Sequence, residues 1–308
     1  MISVRDLTKT YGSRIALDRV SFEVPKGEIF GFVGPNGAGK TTTIRILAAL
    51  LEPTDGRALI DGADVMREPD LVHERLGYMP DFFGVYDQLT VSEYLHFYAA
   101  CYRQPKARRQ KIVDDLLELV GLPERRAQAV DTLSRGLKQR LCLARALVHD
   151  PAVLLLDEPA SGLDPRARVE MREILKTLQG MGKTIVISSH ILPELTELCT
   201  MVGIIDHGKM RATGPVHEVI QHLTAGRRLR ITVLGRREEA EALLKTLAAV
   251  RQVDAVDGAI EVRYEGDEST AASILQTMMA AAIKVSAFSQ LDGGLEDAFL
   301  KATSEDVG

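Results

Sequence analysis

Gly34-Pro35-Asn36-Gly37-Ala38-Gly39-Lys40-Thr41-Thr42 lies between an apolar run, Ile29 to Val33, and an apolar-periodic segment beginning at Thr41. The order is strand, glycine loop, helix. Phosphate groups are held best by several backbone N–H groups converging on one point, and glycine lets a chain bend and approach closely enough for that. Gly34, Gly37 and Gly39 supply the freedom, with Asn36 and Ala38 between them. The helix that follows, opening on Thr41 and Thr42, turns its free N–H groups and positive dipole end toward the same place. Lys40 adds a point charge, and the Thr41 hydroxyl is suited to Mg²⁺. The spacing is that of the phosphate-binding P-loop, G-x-x-x-x-G-K followed by Ser or Thr. A ligand-free glycine turn opening a helix is the plain alternative, and the flanking strand and helix weigh against it.

The chain has 308 residues, 45% of them hydrophobic, enough for a full core and for two domains. Its formal net charge of −5 gives no electrostatic reason to expect nucleic acid. Cys101, Cys142 and Cys199 stand far apart without metal-ligand spacing, which fits a reducing cytoplasm. The N-terminus runs directly into an alternating strand pattern, and no stretch is long and apolar enough to cross a bilayer. Any work at a membrane needs another chain to cross it.

Along the chain, Met1 to Thr8 and Val20 to Val24 read as strands, with Tyr11 in a turn-like segment between them where its ring could stack on a purine. An aromatic-rich stretch follows Gly77, with rings at Tyr78, Phe82, Phe83, Tyr86, Tyr94, Phe97 and Tyr98. It serves either as core beneath a loop or as an apolar docking surface for a partner. Thr90 to Tyr102 and Arg108 to Val120 have helical periodicity. The basic cluster Arg103, Lys106, Arg108, Arg109 and Lys111 reads as a solvated helix face, with lipid or partner contact as the alternative.

Leu133-Ser134-Arg135-Gly136-Leu137 leads into another apolar-periodic helix with Ser134 as its N-cap. Then Val153-Leu154-Leu155-Leu156-Asp157-Glu158-Pro159 gives a continuous apolar strand ending in two carboxylates. Such a strand suits a parallel sheet covered on both faces, and ligands bind where those strands end. One acid there can hold Mg²⁺ through water while its neighbour polarises an attacking water. Ser161-Gly162-Leu163-Asp164 turns the chain into a further helix, and Lys183 to Ser188 is a second buried strand, closed by Ser189-His190. Histidine there can reach a γ-phosphate, although a lone His is more often structural.

These residues, in this order, resemble the ATP-binding cassette (ABC) ATPases over about residues 1 to 220. GPNGAGKTT is similar to the Walker A motif, LSRGLKQR to the signature, VLLLDEP to Walker B, SGLD to the D-loop, and SSH to the switch histidine. The resemblance implies an α/β fold: a P-loop ABC ATPase domain with a mixed sheet core and a helical subdomain at about 88–165. It implies a composite site between two ATPase subunits, a homodimer or heterodimer, in which ATP at the P-loop of one is completed by Ser134 and the Gly136 amide of the other. By the family pattern Asp157 and Thr41 support Mg²⁺, Glu158 is the general base, His190 contacts the γ-phosphate and Tyr11 stacks on adenine. The Q-loop position, usually Gln, falls on Asp81, which can still meet Mg²⁺ or water. The signature departs from LSGGQ at Arg135 and Leu137 but keeps Ser134 and Gly136.

From Arg228 onward the order strand, helix, strand, strand, helix, strand predicts a small α+β ferredoxin-like domain, ending in a short helix at Leu295 to Lys301. The expected division is 1–222 for the ATPase and 223–308 for an accessory or dimerisation domain. This region resembles the C-terminal extension of ABC-2-type exporter ATPases. The leading functional expectation is therefore the ATPase subunit of an exporter, pairing with separate transmembrane permease subunits through the Tyr78 to Tyr98 region and lying peripherally on the cytoplasmic face of the membrane. An importer ATPase with a ligand-sensing C-terminal domain, and a non-transport ABC ATPase, are the alternatives.

Overall fold

A computed structural model of the chain describes residues 1–81, 84, 88–189, 191–223, 227–256, 258–291 and 295–304. It divides into two compact units, Met1–Val216 and His217–Gly308.

The first unit opens with β1 (Ile2–Tyr11) and β2 (Arg14–Val24), an antiparallel pair in which Tyr11 faces Arg14. The sequence places Tyr11 in a turn; it is instead the last residue of β1. The turn shrinks to Gly12-Ser13, where Gly12 takes φ +59, so pairing continues to the tip. Next come β3 (Ile29–Val33), α1 (Lys40–Leu47), β4 (Asp55–Ile60), the two-residue β5 (Ala63–Asp64), α2 (Pro69–Arg75) and β6 (Leu76–Met79). Three helices follow: α3 (Val91–Cys101), α4 (Lys106–Leu119) and α5 (Arg135–Leu147). Thr90 and Glu93 close a reciprocal capping box on α3, and Ser134 caps α5, accepting from Leu137 N. The unit ends with β7 (Val153–Asp157), α6 (Pro165–Gly180), β8 (Thr184–Ser189), α7 (Leu192–Leu198), β9 (Met201–Asp206) and β10 (Lys209–Pro215).

Two sheets result. One is antiparallel, in the order β2-β1-β4-β5; the other runs β10-β9-β3-β8-β7-β6, parallel except at β10. Every residue of β3, β7 and β8 is buried, as parallel strands covered on both faces require. A single core joins Val4 and Phe22 of the antiparallel sheet to Phe30 and Phe32 of the parallel one through Ile44 and Leu47 of α1. The Phe22 and Phe30 rings stack at 5.0 Å. The P-loop helix is thereby clamped between the sheets, and its N-terminus opens at the C-terminal ends of β3 and β7.

After α8 (Val216–Leu223), the second unit contains β11 (Arg227–Val233), α9 (Arg237–Lys245), β12 (Val250–Val256), β13 (Ala259–Tyr264), α10 (Glu268–Ala280), β14 (Val285–Leu291) and α11 (Leu295–Ser304). Its antiparallel sheet has the order β12-β13-β11-β14, the ferredoxin-like arrangement predicted from the sequence. Leu229, Ile231, Ile260 and Val262 of the sheet pack with Leu244 of α9 and Ile274 and Met278 of α10 in a separate core.

Candidate nucleotide-binding site

The three P-loop glycines are required for different reasons. A Cβ on Gly34 would stand 2.3 Å from the Ile205 carbonyl oxygen of β9, so the neighbouring strand excludes any side chain. Gly37 is exposed at φ +82, with its nearest foreign atom, Arg14 Nη2, at 3.7 Å; only its backbone conformation demands glycine. Gly39 has both problems, φ +115 and Leu17 Cδ2 at 2.6 Å from its would-be Cβ. Gly39 is also the N-cap of α1 and supplies no side-chain acceptor, which leaves the first-turn N–H groups for an anion.

Lys40 is 6% exposed and bends back over the loop, its Nζ donating to the carbonyls of Gly34 at 2.6 Å and Pro35 at 3.2 Å. Burial holds its pKa below the ordinary lysine value, while Glu158 and Asp157 pull the other way. Phosphate oxygens are better partners for this ammonium than the loop carbonyls it now uses. A cleft of about 410 Å³ lies beside it, lined by Tyr11, Arg14, Asn36, Asp81, Glu158 and Ser161. The free helix terminus, buried cation and cleft together fit a nucleotide triphosphate.

Asp157, 2% exposed, ends β7 beneath the loop. Its Oδ1 accepts from Ser188 Oγ at 2.6 Å and from Thr41 Oγ1 at 3.3 Å. Glu158 follows at φ +52, its N–H donating to Ser188 Oγ at 2.9 Å and to the Ser188 carbonyl at 3.2 Å. Ser161 N donates to the Glu158 carbonyl at 3.0 Å, closing the turn. A threonine hydroxyl beside one carboxylate is a hard oxygen donor set of the kind Mg²⁺ uses together with substrate phosphates. Among the described residues no group of three or more His, Cys, Asp or Glu is placed to hold a metal by itself.

Residues 17–161 match the family model described as ABC transporter. The linearmycin resistance ATP-binding protein LnrL of Bacillus subtilis (strain 168) is 32% identical over 305 residues, 98% of each chain. The daunorubicin/doxorubicin resistance ATP-binding protein DrrA of Streptomyces peucetius is 34% identical over 304 residues, 98% of this chain and 92% of its own. The chain belongs to the ABC transporter ATP-binding family. Among solved structures, an ATP-binding subunit of an ABC transporter superposes with TM-score 0.67 and 29% identity over 73% of this chain and 93% of its own. A dimeric cassette in a post-hydrolysis state with ADP and Pi gives 0.64 and 27%, over 70% and 98%. This protein is an ATP-binding cassette ATPase.

Within the cassette, Tyr11 reaches the cleft as an exposed ring under the Lys9 ammonium, 5.2 Å from its centroid. Asp81 lines the cleft as well. His190 lies outside the described residues. Ser134 and Gly136 are not among the cleft's lining residues; a Cβ on Gly136 would stand 3.3 Å from Leu163 Cδ2 and 3.5 Å from Ala167 Cβ. Arg135, the departure in the signature, packs over Gly162, whose Cβ would fall 2.4 Å from Arg135 Cζ. Sequence reasoning missed Arg14, Ser161 and Ser188. Arg14 is an isolated cation after a turn, Ser161 enters the sequence reading as the first residue of the D-loop turn with no contact assigned to it, and Ser188 is a polar residue following the buried apolar run Ile185 to Ile187. That last pattern was the one legible signal.

The aromatic stretch is part buried and part exposed. Tyr94 is fully buried, its ring 5.0 Å from Tyr98, whereas Phe97 and Tyr102 are exposed. Phe82, Phe83 and Tyr86 lie outside the described residues. A second cleft of about 400 Å³ is lined by Leu50, His73, Tyr78, Tyr98, Tyr102 and Arg145, with the Arg145 guanidinium 5.3 Å above the Tyr98 ring. In the basic cluster Arg103, Lys106, Arg108 and Lys111 are exposed, Lys111 pairs with Asp115 one turn on, and Arg109 is half-buried with its Nε donating to the Gln104 carbonyl at 2.8 Å.

Proposed function

We propose that this cassette drives an exporter, working as a pair of ATPase subunits bound to separate membrane-spanning permease chains on the cytoplasmic face of the membrane. Four relatives carry names of export, transport or resistance proteins: LnrL, DrrA, a bacitracin transport protein and a Nod factor export protein. Among the described residues no helix is long and apolar enough to cross a membrane, so the permease would be another chain. The cleft at Tyr78, Tyr98 and Tyr102 is the surface we assign to it. Residues 223–308 serve as an accessory domain in dimer stabilisation or regulation.

The observation that carries the reading is the meeting of Lys40, Thr41, Asp157 and Glu158 at one end of the parallel sheet. The loop N–H groups and Lys40 bind the phosphates, Asn36 and Thr42 complete the loop, and Tyr11 stacks on the adenine. Mg²⁺, held by Thr41 and through water by Asp157 with Asp81 nearby, would neutralise charge on the β- and γ-phosphates. Glu158 takes a proton from water as its oxygen attacks the γ-phosphorus; the bond to the bridging oxygen breaks, leaving ADP and Pi. His190 contacts the γ-phosphate, and Ser134 and Gly136 reach the nucleotide of the facing subunit.

Replacing Glu158 with Gln tests this reading. The variant is expected to bind ATP, to lose turnover by about a hundredfold or more, and to accumulate as an ATP-bound dimer in size-exclusion chromatography. Undiminished turnover would remove Glu158 from its role. Recovery of the tagged chain from native cells without a stoichiometric multi-span protein would remove the transporter partner.

A further inference from the structure

We propose that Ser188 is a positioning residue for hydrolysis, a single hydroxyl that holds the metal-side carboxylate of Asp157 and the backbone of the base Glu158 in one arrangement. The inference rests on the roles proposed above for those two acids. Ser188 Oγ lies 2.6 Å from Asp157 Oδ1 and 2.9 Å from Glu158 N. Its polarity is forced, because an amide N–H can only donate: the hydroxyl accepts from Glu158, so its own hydrogen must go to the carboxylate.

The surroundings favour this use of the hydroxyl. Ser188 is completely buried on β8, following Ile185, Val186 and Ile187, where an unpaired hydroxyl would be costly. Its one hydrogen and an acceptor lone pair are spent on neighbouring residues of one functional pair. Glu158 stands in the left-handed region at φ +52 without being glycine, so its backbone is held there by its surroundings. The Ser188 carbonyl also accepts the Glu158 N–H, at 3.2 Å. Alanine at 188 therefore keeps one backbone tie and removes the link between the two acids. Asp157 Oδ1 would then have Thr41, at 3.3 Å, as its remaining side-chain donor among the described residues. Its carboxylate would turn more freely, and the metal-side oxygen would no longer be fixed relative to the base.

Three variants and two readouts test the proposal. Turnover is expressed per nucleotide site, counted by binding of a fluorescent ATP analogue without Mg²⁺, so that lost folding lowers the count and not the ratio. Ser188→Ala is expected to lower kcat about tenfold or more with KM for ATP within about twofold, as loss of a group supporting a metal ligand does. In the ATP-loaded Glu158→Gln background, Mn²⁺ affinity measured by electron paramagnetic resonance should fall about tenfold on adding Ser188→Ala. Ser188→Thr, which keeps the hydroxyl, should recover most of both. Turnover and Mn²⁺ affinity within about twofold of the parent in Ser188→Ala would overturn the proposal, as would equal impairment in the Thr variant. Retained turnover in Glu158→Gln alone strikes instead at the role of the base.

Discussion

The Thr41 hydroxyl donates to Asp157 Oδ1 at 3.3 Å across 116 residues of sequence, tying the first turn of the P-loop helix to the end of β7. The same oxygen accepts from Ser188, so Asp157 is an acceptor toward both neighbours. Asn at 157 preserves the shape but can present an N–H₂ to hydroxyls that are already donating. Asp157→Asn is therefore expected to bind ATP without Mg²⁺ as the parent does, to lose the Mg²⁺ effect on binding, and to drop kcat by about a hundredfold. Isothermal titration with and without the metal, beside steady-state ATPase, checks this.

Lys40 gives a pH dependence. Burial lowers its pKa in the nucleotide-free fold, so it loses its proton at a lower pH than an ordinary lysine does. ATP needs the charged form, and affinity should therefore fall as pH rises through that lowered value. Fold stability moves oppositely: between the lowered folded pKa and the unfolded value the unfolded chain binds more protons, and the nucleotide-free protein gains stability as pH climbs. Nucleotide dissociation constants and urea midpoints measured across the alkaline range should show these opposite slopes. Affinity that stays flat up to the ordinary lysine range would count against the assignment.

Two glycines of one loop should fail differently. Gly34→Ala forces a methyl to 2.3 Å from the Ile205 carbonyl and should destabilise the cassette by more than about 2 kcal/mol. Gly37→Ala meets only an ordinary contact, Arg14 Nη2 at 3.7 Å, costs about 1 kcal/mol in backbone strain at φ +82, and should keep the fold while weakening ATP binding. Thermal unfolding separates the two, and nucleotide binding is read on whichever folds.

At Gly162 the strain and the contact can be separated. Its φ is +69, and a Cβ would fall 2.4 Å from Arg135 Cζ. Gly162→Ala should cost about 1–3 kcal/mol, and adding Arg135→Ala should return the steric part but not the backbone part. A urea-unfolding double-mutant cycle with no coupling would show that Arg135 simply swings aside.

Much of this architecture is written locally. β3 ends where the glycines begin, and β7 and β8 are apolar through their centres, Val153 to Leu156 and Ile185 to Ile187, because strands covered on both faces tolerate little else. The ferredoxin-like unit was readable from its alternation of periods. By contrast β5, α2, α7, β9 and β10 were not read. Gly203 in β9 interrupts the apolar run, and only Phe30 packed against it explains why glycine stands there. The motif residues of the cleft were legible because each answers a chemical demand of a phosphate or a metal. Arg14 was not, since a cation beside a turn gains meaning only from neighbours distant in sequence, and the Ser188 hydroxyl marks its buried strand as unusual without saying which residues it serves. The signature departure at Arg135 was visible, but not the bare D-loop glycine that makes room for it.

The two hydrophobic cores are built from separate sets of residues, one ending before the second begins. An appended unit with its own interior can be acquired, exchanged or dropped in descent without repacking the engine that burns ATP. A substitution inside one core therefore removes no packing from the interior of the other.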